Sequence, residues 1–89
     1  MAVEHDHVIV GIHVSNRVAN APRIQELLTE YGCEISTRLG LHGASDGSCS
    51  PRGVIILELM GDPARGRELC AKLEAIDGLD VQRMVFPHL

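Results

Sequence analysis

Aromatic residues are nearly missing from this 89-residue sequence, which has no tryptophan, one tyrosine and one phenylalanine. The hydrophobic fraction of 45% is nevertheless typical of a folded domain. No apolar run approaches the roughly 20 residues that a membrane-spanning helix needs, and no secretory leader is recognisable. We expect a cytoplasmic protein that makes no membrane contact.

Basic residues are too few and too scattered to follow a phosphate backbone. Lysine and arginine together number 8 against 12 aspartates and glutamates, and the formal net charge is −4. Nucleic-acid binding relies on a concentrated basic surface. The composition therefore argues against direct nucleic-acid binding.

Cysteine is also scarce, because the 3 cysteines form no CxxC pair. This pattern suits neither a disulfide scaffold nor a structural zinc site, and it indicates a reducing compartment. Cys33 and Cys70 fall on predicted core faces, where cysteine acts as a small hydrophobe. Cys49 falls in a predicted loop and is the one redox candidate.

The chain begins with a polar segment and a strand. Residues 1–6 have no hydrophobic period, so we expect a frayed tail followed by a single domain over residues 7–89. From Val8 to Val14 the apolar residues alternate with others, which predicts a strand with one buried face.

A helix is predicted next, over residues 18–31. Its apolar residues recur at helical spacing, and Asn16 can cap its free amides. Pro22 lacks an amide hydrogen and is expected within the first turn. Gly32 is expected as a left-handed C-terminal cap.

A second strand is predicted over residues 33–42 and a ten-residue loop over residues 43–52. Loops of this length often carry function, so this one is a candidate contact surface. The predicted apolar face of the strand holds Cys33, Ile35, Thr37, Leu39 and Leu41.

The C-terminal half predicts a strand, a helix and a final strand. Residues 54–60 are apolar on both faces except at Glu58, which predicts an interior strand. Asp62 and Pro63 open a helix that Gly78 ends, and residues 79–86 form the last strand.

The resulting order is βαββαβ, an α+β arrangement. Right-handed crossovers give a ferredoxin-like sandwich, in which two helices cover one face of a four-stranded antiparallel sheet of order 4-1-3-2. The other face is left open and partly apolar, and such a face often marks an interface. We expect it to carry His7, Ile9, His13, Val54, Ile56, Glu58 and Met60.

Five histidines raise the question of a metal site. His7, His13 and His42 could share the open face, with Cys49 near it. However, His7 and His13 are about 20 Å apart along one strand, so they cannot hold one ion within a single chain. A site shared between copies, or ordinary surface histidines, both remain open.

No catalytic motif is present, since the sequence lacks the GxSxG, HExxH, Walker and Rossmann patterns. His42, Asp46 and Ser50 lie in or beside the predicted loop, where such residues commonly satisfy backbone groups. We therefore expect a protein that is not an enzyme and that has no cofactor.

Two segments resemble a known family. YGCEISTRLGLH at residues 31–42 and CSPRGVIILEL at residues 49–59 look like the iron-only hydrogenase system regulator family. The likeness extends over residues 8–86. It implies an ACT-like ferredoxin fold, similar also to the regulatory domain of nickel-responsive repressors, and a role in regulating hydrogenase expression or assembly.

Together these observations predict a non-catalytic regulatory or sensor domain. It is expected to self-associate through its sheet as a dimer or tetramer and to respond to a small ligand or protein partner. The alternatives are a metal-binding or redox-sensing module that uses His42 and Cys49, and a small enzyme at a subunit interface. The expected ligand or interface residues are His13, Asn16, Arg38, His42, Cys49, Ile56 and Glu58.

Overall fold

The computed structural model describes residues 6–45 and 48–87, with the side chains of residues 6–40 and 53–87. The strands are β1 (His7–Val14), β2 (Ile35–Ser45), β3 (Ser48–Leu59) and β4 (Leu79–Phe86). The helices are α1 (Arg17–Glu30) and α2 (Pro63–Glu74), and a 3₁₀ turn occupies Gly32–Glu34. The strands form one antiparallel sheet in the order β2-β3-β1-β4, which is 4-1-3-2 read from the opposite edge. The predicted ferredoxin-like fold is confirmed.

The core lies between the two helices and one face of the sheet. Alternate residues of β1 point into it as predicted, and Val10 and Ile12 are fully buried. Leu57 of β3, Leu27 of α1 and Leu69 of α2 meet them there, also without exposure. Each such side chain contributes about 1.5–3 kcal/mol through removal from water. Both helices therefore cover the same face of the sheet.

Helix α1 begins at Arg17, and Asn16 caps it by accepting a hydrogen bond from the Ala19 amide at 3.3 Å. Pro22 lies in the second turn, so the prediction that it occupies the first turn is wrong. Proline cannot donate to the carbonyl of Val18, four residues earlier. Val18 is 78% exposed, so water can bond to that carbonyl, and the helix tolerates the proline.

Replacing Pro22 with alanine is expected to stabilise the protein by about 2–3 kcal/mol. The new amide can bond the Val18 carbonyl and removes the cost of about 3 kcal/mol for proline inside a helix, while the more flexible unfolded chain offsets about 0.4–1 kcal/mol. Urea unfolding measures the change. Pro63→Ala is the matched control, since Pro63 is at the start of α2 where no hydrogen bond is missing, and it should bring no gain. Destabilisation by Pro22→Ala would contradict this account.

The segment after α1 differs from the prediction. Gly32 is part of the 3₁₀ turn rather than a left-handed cap, because the described glycines with positive φ are Gly61 and Gly78. Cys33 lies in the same turn and is exposed, so its predicted place in the core is wrong. A 3₁₀ turn advances three residues per turn and breaks the alternation that the sequence reading had extended back to Cys33.

Strand β2 contains a bulge near its start. Ile35 is paired with Leu59 of β3, but Thr37 is paired with the very next residue, Glu58, which leaves Ser36 as an extra residue. A bulge of one residue exchanges the faces of the side chains that follow it.

The bulge places Thr37 and Leu39 on the open face and turns Arg38 to the helix side. Leu39 is 50% exposed, and Arg38 Nη2 donates a hydrogen bond to Gln25 Oε1 of α1 at 2.6 Å. The prediction that Thr37 and Leu39 face the core is therefore wrong.

The predicted loop over residues 43–52 is also wrong, because strand structure extends through most of it. The β2–β3 pairing continues to Ala44 with Cys49 and Ser45 with Ser48, after a shift near His42. Asp46 and Gly47 lie outside the described residues, and their sequence is one that is common in two-residue hairpin turns. The glycine, serine and proline residues on either side of this pair are typical of a loop, and they led to the prediction of a loop instead of a hairpin.

Helix α2 begins as predicted, since Asp62 accepts a hydrogen bond from the Ala64 amide at 2.9 Å and Pro63 takes the first helical position. It ends at Glu74, four residues before the predicted stop at Gly78. Gly78 instead shapes the turn into β4 with a φ of +88°. Its carbonyl accepts a hydrogen bond from the Ser15 amide at 2.8 Å, which joins this turn to the end of β1.

Candidate functional site

The open face is the side of the sheet opposite the two helices, and all four strands contribute to it. Directly paired residues of an antiparallel sheet share a face. Ile9 is paired with Glu58 of β3 and with Met84 of β4, so these three form one row across the face. The predicted open-face positions that this register supports are His7, Ile9, His13, Val54, Ile56 and Glu58. Met60 follows the last residue of β3 and is exposed.

Five large apolar side chains from the four strands lie on this face, and we call them the sheet patch: Ile9, Leu39, Ile56, Met84 and Phe86. Leu39, Met84 and Phe86 are 50%, 57% and 50% exposed. Single exposed apolar residues are common, but several on one flat face are typical of an interaction surface.

Gly11 forms a notch at the centre of the open face. It lies midway along β1, between Ile56 of β3 and Gln82 of β4. A Cβ atom added to Gly11 would have no neighbour within 4 Å. Ile56 and Gln82 therefore border a shallow depression that a side chain of another molecule could enter.

Glu58 is the centre of a polar cluster at one end of the open face. Its carboxylate accepts hydrogen bonds from Ser36 Oγ at 3.0 Å, from Thr37 Oγ1 at 2.9 Å and from the His7 ring. These bonds lower the pKa of Glu58 below its ordinary value of 4.5, with the His7 contact as the largest cause and Thr37 and Ser36 next. The cluster holds a negative charge in a fixed position beside the sheet patch.

This cluster predicts a specific effect of acid. A lowered carboxyl pKa stabilises the fold above the unfolded-state value of about 4.5, and that stabilisation is lost as the pH falls through the folded-state value. The free energy of unfolding of Glu58→Gln should therefore fall less between pH 6 and pH 3 than that of the wild type. Urea titrations at the two pH values measure this.

The matched control for the acid experiment is Glu26→Gln, which removes an exposed carboxylate on α1 that is paired with Arg23. It shows how much of the change follows from losing any one glutamate. Equal acid losses in wild type and Glu58→Gln would rule out the proposed role of the cluster.

The other end of the open face is also polar. His13 is exposed and is paired across the sheet with Asp80 of β4 and with Val54 of β3. Each end of the face therefore carries one histidine and one carboxylate, and the sheet patch lies largely between them.

Two further predicted site residues, Asn16 and Arg38, do not join this surface. Asn16 is occupied as the cap of α1, and Arg38 is turned towards Gln25 on the helix side. For His42 and Cys49 only the backbone is described, with His42 paired to Gly53 and Cys49 to Ala44. The predictions for the side chains of His42 and Cys49 therefore lie outside the described residues.

Metal ligands do not converge among the described side chains. Within residues 6–40 and 53–87, no group of three or more histidine, cysteine, aspartate or glutamate side chains is placed to hold an ion. His7 is bonded to Glu58 at one end of β1, while His13 lies near its other end. This agrees with the spacing argument against one ion shared by His7 and His13.

Three members of the sheet patch were not predicted from the sequence. Met84 and Phe86 were not assigned to a face, although Leu79, Val81 and Val85 mark the other face of β4 by their parity. The third is Leu39, whose position depends on the bulge in β2 and has no clear signal in the sequence.

The fold and the surface together define a ferredoxin-like domain with an open, partly apolar sheet face. The chain matches no known family model and no curated protein. No helix in the described part of the chain is long and apolar enough to cross a membrane.

Solved structures share the architecture. The chain is 25% identical to the uncharacterized protein TM1266 from Thermotoga maritima, with 89% of this chain and 94% of that chain covered and a TM-score of 0.75. It is 14% identical to CPII, a nitrogen regulatory PII-like protein from Thiomonas intermedia K12, with 96% and 97% covered and a TM-score of 0.55.

The fold also occurs as a part of a larger protein. A formyltetrahydrofolate deformylase from Pseudomonas putida KT2440 is 15% identical with a TM-score of 0.55, and the match covers 89% of this chain but 28% of that one. Because CPII and the deformylase are 14% and 15% identical to this chain, their similarity shows the fold alone.

Proposed function

We propose that the chain is a non-catalytic regulatory domain, formed by residues 7–89, that assembles as a homodimer through its open sheet face. The observation that carries this proposal is the sheet patch, with Leu39, Met84 and Phe86 each at least half exposed. Exposed apolar area of this kind is stabilised by contact with another protein surface. His13, Ile56 and Glu58 are the predicted site residues that this interface uses.

A second copy of the chain suits this face because of where its polar groups lie. Histidine and carboxylate groups occupy both ends of the face, namely His7 with Glu58 and His13 with Asp80, and most of the sheet patch lies between them. A two-fold interface brings one surface against itself, so a carboxylate at its centre would be repelled by its own copy. Because the carboxylates lie at the ends of the face, its centre is free of that repulsion.

The small size of the open face determines how much of it a homodimer must bury. The 7 residue pairs between β1 and β3, at about 3.3 Å each, extend over about 23 Å, and four strands about 4.8 Å apart span about 15–20 Å. The product of these lengths is about 350–460 Å², roughly half of the 800 Å² that each partner of a specific dimer typically buries. The homodimer therefore needs contact across the whole face, including the centre at Gly11.

The regulatory role has two supports. The first is the resemblance of residues 31–42 and 49–59 to the iron-only hydrogenase system regulator family. The second is that a regulatory role requires no catalytic groups, because a change at an interface is enough to pass a signal to a partner. On this basis we propose a role in regulating an iron-only hydrogenase system.

Self-association is tested by the mass of the purified protein. Sedimentation equilibrium between about 5 and 500 μM should show a monomer–dimer equilibrium or a stable dimer, a range that matches interfaces of this size. A monomeric mass across the whole range would overturn the proposed dimer.

The hydrogenase role is tested separately in the host. Deletion of the gene is expected to change hydrogenase activity, and the wild-type gene is expected to restore it. Unchanged activity after deletion would reject the link to hydrogenase while leaving the dimer intact.

A further inference from the structure

A cavity of about 150 Å³ lies on the helix side of the sheet, away from the open face. It opens where β3 leads into α2, and the end of β4 forms one wall. Its apolar lining includes Val8, Leu59 and Val85 from three strands and Cys70 from α2. A cavity of this volume accommodates a body the size of a benzene ring or a short branched alkyl chain.

Two arginines border this apolar cavity, Arg67 on α2 and Arg83 on β4. Arg83 is paired with Val10, whose side chain is buried in the core, so Arg83 lies on the helix side of its strand. Among the described residues, neither arginine takes part in a salt bridge. Guanidinium groups bind carboxylates through paired hydrogen bonds, which makes the two arginines candidates for an anionic group.

The acidic residues at the cavity are already engaged. Asp62 accepts the Ala64 amide hydrogen bond as the cap of α2, and Asp6 has an interaction of its own. Burial raises the pKa of the Cys70 thiol, so this wall of the cavity stays uncharged at neutral pH. Asp6 and Asp62 keep their negative charges, and the guanidinium groups of Arg67 and Arg83 are the charged groups in the lining that can donate hydrogen bonds to an anionic ligand.

The lining of α2 makes room for a ligand at Gly66. Gly66 is buried, and a Cβ atom there would lie 3.3 Å from Leu59 Cδ1. A larger residue at this position would press on Leu59 and narrow the cavity. The glycine thus keeps α2 close to β3 while leaving the neighbouring space unfilled.

We propose that this cavity binds a small organic anion, with an apolar body of about six carbon atoms against Val8, Leu59 and Val85 and a carboxylate held by Arg67 and Arg83. The site is separate from the open face. Ligand binding and self-association can therefore be tested independently.

The test is a titration of the full chain followed by amide chemical shifts in NMR, with 4-methylpentanoate as the probe. We expect saturable shifts at Val8, Cys70 and Val85 with a Kd of about 1 mM or below. The uncharged 4-methylpentanamide and the short anion acetate should each bind at least about ten-fold more weakly, because each lacks one of the two interactions.

Substitutions assign the carboxylate contact. Arg67→Gln and Arg83→Gln should each weaken 4-methylpentanoate binding by about five- to ten-fold, and the matched control Arg23→Gln, on the surface of α1, should leave it unchanged. Cys70→Met should abolish binding by filling the cavity.

Three results would overturn the proposal. These are no saturable shifts with 4-methylpentanoate, equal affinity for the amide, and equal weakening by Arg23→Gln. A variant that is monomeric because of a substitution on the open face should still bind 4-methylpentanoate. The experiment therefore distinguishes an error in the proposed binding site from an error in the proposed dimer.

Discussion

Replacing Gly11 with lysine is expected to convert the dimer into a monomer, with the dimer Kd raised at least about 100-fold. Gly11 lies at the centre of the open face, where a second copy would cover it. In the dimer, an unpaired ammonium group at this position must either lose its bound water or hold the two sheets apart. Each of these costs several kcal/mol, and about 2.8 kcal/mol is enough to raise the dimer Kd 100-fold.

The folded monomer should tolerate this substitution. A Cβ atom at Gly11 has no neighbour within 4 Å, and its φ is not in the left-handed region. The far-ultraviolet circular dichroism and the urea midpoint at low protein concentration should therefore match or exceed those of the wild type. Sedimentation equilibrium then measures association without interference from unfolding.

Gly40→Lys is the matched control. Gly40 also lies in a strand and also has open space at its Cβ position, but it is paired with Ile55 and lies on the helix side of β2. The Gly40→Lys variant should dimerise like the wild type. If both lysine variants dimerise normally, the open face is not the interface, and if both are monomeric, the effect follows from charge alone.

The same pair of variants extends the hydrogenase experiment. Gly40→Lys should restore hydrogenase regulation in a deletion strain, whereas Gly11→Lys should fail to do so if regulation requires the dimer. Restoration by both would separate the regulatory role from dimer formation.

Replacing Tyr31 with alanine is expected to have the largest effect on stability, about 3–5 kcal/mol, as for other large aromatic residues removed from a core. Tyr31 follows the last residue of α1, is fully buried, and contacts α2 on several sides. Its hydroxyl donates a hydrogen bond to Glu68 Oε2 at 2.7 Å. Arg65 and Lys72 lie 4.3 Å and 5.1 Å from the ring centroid.

Tyr31→Phe separates the ring from its hydroxyl. This variant keeps the buried ring and its cationic neighbours, so its cost should be about 1 kcal/mol or less, because Glu68 is exposed enough to be solvated instead. The Tyr31 hydroxyl is also the largest cause of the lowered pKa of Glu68, so that pKa should rise in the variant.

Urea unfolding followed by circular dichroism measures both Tyr31 variants, since the chain's single tyrosine cannot serve as a fluorescence probe once it is replaced. Equal losses for Tyr31→Ala and Tyr31→Phe would place the stabilisation in the hydrogen bond rather than in the buried ring.

The sequence was sufficient for the topology because each element has a strong local signal. The alternation in β1 and the Asp62-Pro63 start of α2 are each carried by residues that act on their own backbone. Helical spacing likewise found Tyr31 and the rest of the buried stripe of α1, although not the charged residues of α2 that cover Tyr31.

The sequence was insufficient where the outcome depends on pairing between strands. The bulge at Ser36 is defined only by the register against β3, and it moved Leu39 from the predicted core to the open face. The β2–β3 hairpin is long because backbone groups of the two strands pair with each other. The turn-forming residues in this segment of the sequence do not predict that pairing. The position of the open face was therefore predicted from the sequence, but not all of the residues that lie on it.

The arginine-bordered cavity had no sequence signal at all. Val8, Arg67 and Arg83 come from three separate elements, and only the folded chain brings them together. None of them forms a motif with its sequence neighbours.

The most direct test of the dimer is a mixed-label NMR experiment, in which half of the chains carry ¹³C-labelled methyl groups and the others carry none. Packing through the open face predicts intermolecular contacts between methyl groups of one copy and protons of the other at Leu39, Ile56 and Met84. It predicts no such contacts for methyl groups of the buried core, such as Leu27 and Leu69. Intermolecular contacts found only elsewhere, or none in a sample of dimeric mass, would contradict the open-face interface.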